Sequence, residues 1–186
     1  MAAADALTVE NLYLARHLVR RALNRNNVHI NGHLKQQTIS AAQLRAIVED
    51  KSFQKAVSAL ETANDVFMDK HKDGVMGLVQ TMDITDAQLH SEFVKAAGQV
   101  VDEIRWGRIA SLFFLTSLLA ERLFNEGQGS KVESLVMWLA QFLNTHVSSW
   151  IEQRGGWVRK TVCALSNLIL VARCRKEVES EGVKNN

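Results

Sequence analysis

Arg108 is the side chain in this sequence best suited to recognition chemistry. It stands in Trp106-Gly107-Arg108-Ile109, where a guanidinium can form a bidentate, charge-assisted pair with a carboxylate brought by a ligand. Gly107 lacks the Cβ that would hold an approaching helix away. At the start of a helix the arginine faces the positive end of the dipole, an awkward place for a cation unless a carboxylate comes to meet it. A second segment, Trp150-Ile151-Glu152-Gln153-Arg154-Gly155-Gly156-Trp157, repeats the combination of aromatic anchor and glycine. Together the two segments imply a groove that receives a helix.

Bond-making chemistry is not indicated. His29 and His33 have i,i+4 spacing, but Gly32 and the neighbouring asparagines argue against a rigid helix there, and no third metal ligand is near. No glycine-rich phosphate loop, nucleophile elbow or paired-carboxylate constellation is present. The expectation is a protein that is not an enzyme, with no metal and no cofactor.

The elements that must position Arg108 read as helices. The chain has 186 residues, no proline and 10 glycines, which leaves long stretches free to be helical. A net charge of +2 from 22 basic and 20 acidic residues gives no concentrated basic stripe, so no nucleic-acid partner is expected. Leu12, Ala15, Val19, Ala22 and Leu23 share one face of a first amphipathic helix at 8–25, with Thr8 as its N-cap. A loop at 26–39 follows. Ser40 with Gln43, Thr85 with Gln88, and Ser130 with Glu133 have capping-box spacing and mark helix starts near those positions. Gly74 and Gly77 loosen the stretch before Thr85, and Gly127-Gln128-Gly129 makes a turn before Ser130.

The run Ile109–Ala120 is apolar on nearly every side, relieved only by Ser111, Thr116 and Ser117. It is too short to span a bilayer, which takes about 20 residues as a helix. It is therefore a central helix surrounded by others. The expected architecture is all-α, one domain over 1–186, with the remaining helices in 40–175 and a solvated tail at 176–186. Near that tail, Val162–Ala172 superficially resembles a tail anchor between Lys160 and Arg173 but is too short for one, and reads as a last packing helix. If Cys163 and Cys174 share one helix they lie too far apart along it for a disulfide, and no secretory leader is expected at the N-terminus; both expectations fit an intracellular protein.

Trp106-Gly107-Arg108-Ile109, followed by Phe113-Phe114, resembles the first Bcl-homology motif of the B-cell lymphoma (Bcl) family of apoptosis regulators. Trp150 to Trp157 resembles the second almost letter for letter. Upstream, Ala56, Leu60, Ala63, Asp65 and Phe67 have the spacing of the third, and the first helix is loosely similar to the fourth. The firm resemblance covers Ala56 to Trp157. It implies a Bcl-like bundle of about eight helices around a central hydrophobic one. It also implies a pro-survival function: capture of the amphipathic third-motif (death-motif) helix of pro-apoptotic relatives, blocking permeabilisation of the mitochondrial outer membrane. The alternative is a Bak/Bok-like effector that oligomerises and permeabilises that membrane. Met82-Asp83-Ile84 and Gln153-Arg154-Gly155-Gly156 are most similar to the myeloid-cell-leukaemia-type survival proteins, although Gln-Arg-Gly-Gly-Trp-Val also occurs in Bak-like effectors.

By the same resemblance, Arg108 receives the aspartate of a partner's third motif and Gly107 lets that helix approach. Phe67, Val75 and Leu78 line one side, Ala96 and Val100 the other, and Ala110 and Ser111 the floor. Leu60, Asp65, Trp106, Trp150, Gly155, Gly156 and Trp157 are structural, the tryptophans pinning the last helices to the bundle. Three departures stand out: Arg105 replaces the asparagine before Trp-Gly-Arg, Glu103 a glycine two positions earlier, and Asn64 the glycine before the third motif's aspartate. Arg105 is thereby a candidate for partner preference. The expected location is the cytoplasm and the mitochondrial outer membrane, with membrane association a further expectation.

Overall fold

The computed structural model describes residues 2–25 and 39–158, with side chains from residue 6 onward. Seven α-helices lie among the described residues: α1 Ala2–Arg25, α2 Ala41–Glu49, α3 Lys51–Thr81, α4 Leu89–Val100, α5 Trp106–Asn125, α6 Val132–Phe142 and α7 Ser148–Glu152. A 3-10 turn, Gly129–Lys131, precedes α6, and a π-type turn, Leu143–Val147, joins α6 to α7. The architecture is the all-α bundle expected. His29, His33, both cysteines, the run Val162–Ala172 and the tail at 176–186 lie outside the described residues.

Helix α5 is the hub. From Ile109 to Ala120 only Ser111 is not buried, and α1, α3, α4 and α6 all pack on it. The hydroxyls that interrupt its apolar surface are satisfied within the helix: Thr116 donates to the Leu112 carbonyl at 2.8 Å and Ser117 to that of Phe113 at 2.9 Å. Neither hydroxyl is thereby left orphaned in the core. No helix among the described residues is long and apolar enough to cross a membrane.

Several boundaries differ from the expectation. Helix α1 begins at Ala2, so Thr8 lies inside it and does not cap it; the alanine-rich start has high helix propensity and no breaker. The Ser40/Gln43 capping box forms as expected. Asp50 then divides what reads as one element. Its N–H closes α2 on the Ala46 carbonyl, while its carboxylate accepts the Ser52 and Phe53 N–H groups at 2.8 and 3.0 Å and starts α3. Gly74 and Gly77 do not loosen the chain; α3 runs through both to Thr81. Each glycine costs a helix about 1 kcal/mol, and the far end is held from outside. Arg122 of α5 donates to the carbonyls of Val79 and Met82 at 2.6 and 2.8 Å, satisfying terminal groups that the helix itself cannot.

Thr85 and Ser130 mark turns, not caps. Asp83 accepts the Thr85 N–H at 2.9 Å, which holds its carboxyl below the ordinary aspartate value, and α4 starts at Leu89. Glu133 does not reach back to Ser130; it pairs instead with Arg16 of α1 at 2.5 Å. The glycine turn after α5 forms as expected. Gly127 has φ +74°, and the Gly127 and Gln128 N–H groups bond to the carbonyls of Phe124 and Leu123 at 3.0 and 2.7 Å. This is the 5→2 and 6→1 pattern of a Schellman C-cap.

Candidate helix-binding groove

Helices α3 and α4 both pack on α5 and carry apolar side chains that are not fully buried. On α3, Phe67 and Val75 are half-buried and Leu78 is 47% exposed. On α4, Val100 is half-buried and Val94, for which the motif pattern gave no signal, is 39% exposed. The Phe67 ring meets Phe114 of α5 with centroids 5.8 Å apart. Ser111 is half-buried and donates to the Gly107 carbonyl at 3.0 Å. Two of the expected contact residues are buried. Ala96 and Ala110 are only 7% and 2% exposed, so as they stand they offer a ligand little surface.

Arg108 lies at the α4 end of this strip. Its side chain is 42% exposed and already has partners: it donates to the Val100 carbonyl at 3.2 Å and pairs with Asp102. The awkwardness of a cation at the start of α5 is relieved by the last carbonyl of α4, the negative end of another helix. Asp102 is itself 63% exposed, so this ion pair is of the weakly held surface kind. Arg105 occupies the N-cap position of α5 without capping it, and pairs with Glu103 at 2.5 Å. The two departures at 103 and 105 thus neutralise each other at the start of α5.

The third-motif stripe faces inward. Ala56, Leu60 and Ala63 are essentially inaccessible. Asn64, bulkier than the glycine it replaces, is buried against α5 with its amide 3.5 Å from the Ser117 hydroxyl. Asp65 points the other way, to α1. Arg21 grips both its oxygens at 2.5 and 2.9 Å, and Arg25 adds a contact at 2.9 Å. The hydrogen bonds to Asp65 raise the Arg21 guanidinium above its ordinary value despite partial burial. One turn earlier, Glu61 takes His17 at 2.7 Å and Arg21 at 3.5 Å. The sequence held a signal for this clamp, because Arg21 and Arg25 are one helical turn apart on the polar side of α1.

The tryptophan segments meet in space. Trp106 lies edge-on to Trp150 with centroids 5.1 Å apart, and Trp157 packs on Trp106 and Phe113 at 5.8 and 6.0 Å. Arg154 covers the Trp150 ring at 3.9 Å, a cation–π contact. Gly155 and Gly156, at φ +86° and +79°, bend the chain so that Trp157 turns back into the core, a backbone that residues with a Cβ rarely adopt. The indole N–H of Trp157 donates to Asn11 at 2.8 Å, and the Asn11 amide donates to Asn144 and Ser148 at 2.7 and 3.0 Å. Asn11 was legible only as the polar member of the stripe Asn11, Ala15, Leu18, Ala22, a position where a buried amide must find partners.

With this geometry in place, comparison with known proteins defines the class. The sequence profile of the Bcl-2 family of apoptosis regulator proteins matches residues 60–157, and the chain belongs to that family. Chicken apoptosis regulator Bcl-2 is 26% identical over 100 residues, and human Bcl-2-like protein 1 is 27% identical over 100 residues. Each match takes in 53% of this chain and 43% of the relative, so the chain spans under half the length of these relatives. Among solved structures, chicken BOK superposes with a TM-score of 0.69 at 19% identity, covering 86% of this chain and 98% of the other. Trichoplax adhaerens trBcl-2L2 bound to trBak BH3 gives 0.68 at 21% identity, covering 81% and 94%.

Proposed function

We propose that this chain is a pro-survival receptor. It captures the third-motif helix of pro-apoptotic relatives along the α3–α4 strip, pairs that helix's aspartate with Arg108, and thereby prevents permeabilisation of the mitochondrial outer membrane. The observation that carries the reading is an asymmetry between the two charges of the recognition pair. Arg108, the receptor's half, is half exposed and held by one exposed carboxylate, Asp102, and by the Val100 carbonyl. Asp65, the ligand's half, is held by two arginines and lies on a helix whose other motif positions are in the core. A chain so arranged is prepared to receive such a helix and not to donate one. A Trichoplax relative of the same fold is bound to a BH3 segment of trBak, which supports a groove of this kind as a helix receptor.

The test is calorimetric titration of the chain with third-motif peptides, alongside dye release from liposomes of outer-membrane composition. Binding without release supports the receptor; release after activation, with oligomerisation, would make it an effector. Arg108→Ala is expected to weaken peptide binding about tenfold. A fully desolvated pair would lose more, but Arg108 is half exposed and gives up Asp102 to bind, leaving about 1.5 kcal/mol net. Equal affinity of wild type and variant would remove Arg108 from the reading.

A further inference from the structure

Residues of α1, α2, the Asp50 joint and the start of α3 line an open cleft of about 450 Å³, within the size range of small-molecule sites. Val9, Ala46, Ile47 and Phe53 provide apolar walls, and Ile47 and Phe53 are themselves buried. Three polar side chains enter it: Glu10, Asp50 and the neutral Gln43. No cationic residue lines it among the described residues. The Asp50 carboxylate already accepts two backbone N–H groups of α3. Burial, and then the charge of Asp50, push the Glu10 carboxyl from 4.5 up to about 7. Both causes have one remedy, a positive charge placed between the two carboxylates.

We propose that this cleft binds a small organic cation, an ammonium or guanidinium on a short apolar stem, with its head between Glu10 and Asp50 and its stem against Ile47 and Phe53. The cleft shares no residue with the Arg108 groove, and the proposal does not depend on what that groove binds. An anion is repelled, and a neutral compound of the same shape gains only the apolar contacts. Binding requires Glu10 ionised, and the groups facing it are Asp50 and uncharged Gln43. Affinity for a permanent cation therefore rises about tenfold from pH 6 to pH 8, as the ionised fraction of Glu10 grows.

The experiment titrates the isotope-labelled full chain with 4-phenylbutylammonium, 4-phenylbutanol and 4-phenylbutyrate, read by amide chemical shifts. The cation is expected to shift Ala6, Val9, Ala46 and Ile47, to bind at least tenfold more tightly than the alcohol at pH 8, and to lose that advantage in Glu10→Gln. Ala46→Phe, which fills the cleft from an exposed position, abolishes binding without touching either carboxylate. A saturating third-motif peptide leaves the cation's affinity unchanged. The proposal is overturned if alcohol and cation bind alike, if Glu10→Gln binds the cation as wild type does, or if the peptide displaces it. Failure of the peptide to bind would overturn only the groove reading.

Discussion

Replacing Asp65 by asparagine tests whether the α1 clamp holds the third motif in the fold. The substitution keeps the shape and removes the charge that Arg21 and Arg25 share. Asp65 and Arg21 are about one-third exposed, at 32% and 30%, and Arg25 is 41% exposed. The three contacts, at 2.5, 2.9 and 2.9 Å, therefore fall between the near-zero value of a surface pair and the 3–5 kcal/mol lost on breaking a buried one. Assigning about 1 kcal/mol to the bidentate Arg21 pair and about 0.5 to Arg25, and adding about 0.5 for two guanidinium groups left side by side, gives about 2 kcal/mol. For a chain of this size that corresponds to a fall in Tm of about 4–8 °C. Urea unfolding followed by circular dichroism measures it, and a double-mutant cycle with Arg21→Gln isolates the pair, with a coupling of about 1 kcal/mol expected. Stability of Asp65→Asn within about 0.3 kcal/mol of wild type would refute the clamp, and with it the asymmetry on which the receptor reading rests.

Two further perturbations address other parts of the bundle. The raised value of Glu10, about 7 against 4.5, means that the folded chain keeps a proton the unfolded chain gives up. Its contribution is fully present below pH 4.5 and is lost as pH rises through 7; at about 1.36 kcal/mol per unit, discounted for partial exposure, the loss is about 1–2 kcal/mol. Glu10→Gln should flatten that decline in urea-denaturation midpoints between pH 4.5 and 7.5, whereas parallel pH profiles would show that Glu10 titrates normally. Asn11→Ala leaves the indole N–H of Trp157 and the Asn144 carbonyl oxygen without their partner, and should cost about 3 kcal/mol and lower Tm by about 6–12 °C by calorimetry; a fall below about 2 °C would mean that water replaces the amide.

What was legible in the sequence follows from which interactions are local. Helix α5 could be read because an all-round apolar helix has one solution in water, and the Ser40 box because its partners are three residues apart. Asp50 could have been read the same way, since it caps residues two and three positions on, but an aspartate between two helix-forming stretches competes with many others that do nothing. The failures are contests settled at long range. Glu133 had Ser130 within reach and went to Arg16, 117 residues away, because α1 and α6 are pressed together over the core and the cross-helix pair is less exposed than the cap. Gly74 and Gly77 weaken a helix locally, and Arg122, more than forty residues on, outweighs that weakness by holding the helix end. The same holds at the groove. The motif letters placed Arg108 and the three tryptophans but were silent about Asp102 and the Arg21–Arg25 clamp, and those in-chain partners determine whether a motif charge is free to meet a stranger. Two chains with identical first, second and third motifs can thus differ in behaviour through residues outside those three. Where the sign of a family member's function is in question, the informative positions are the intramolecular competitors of the recognition pair.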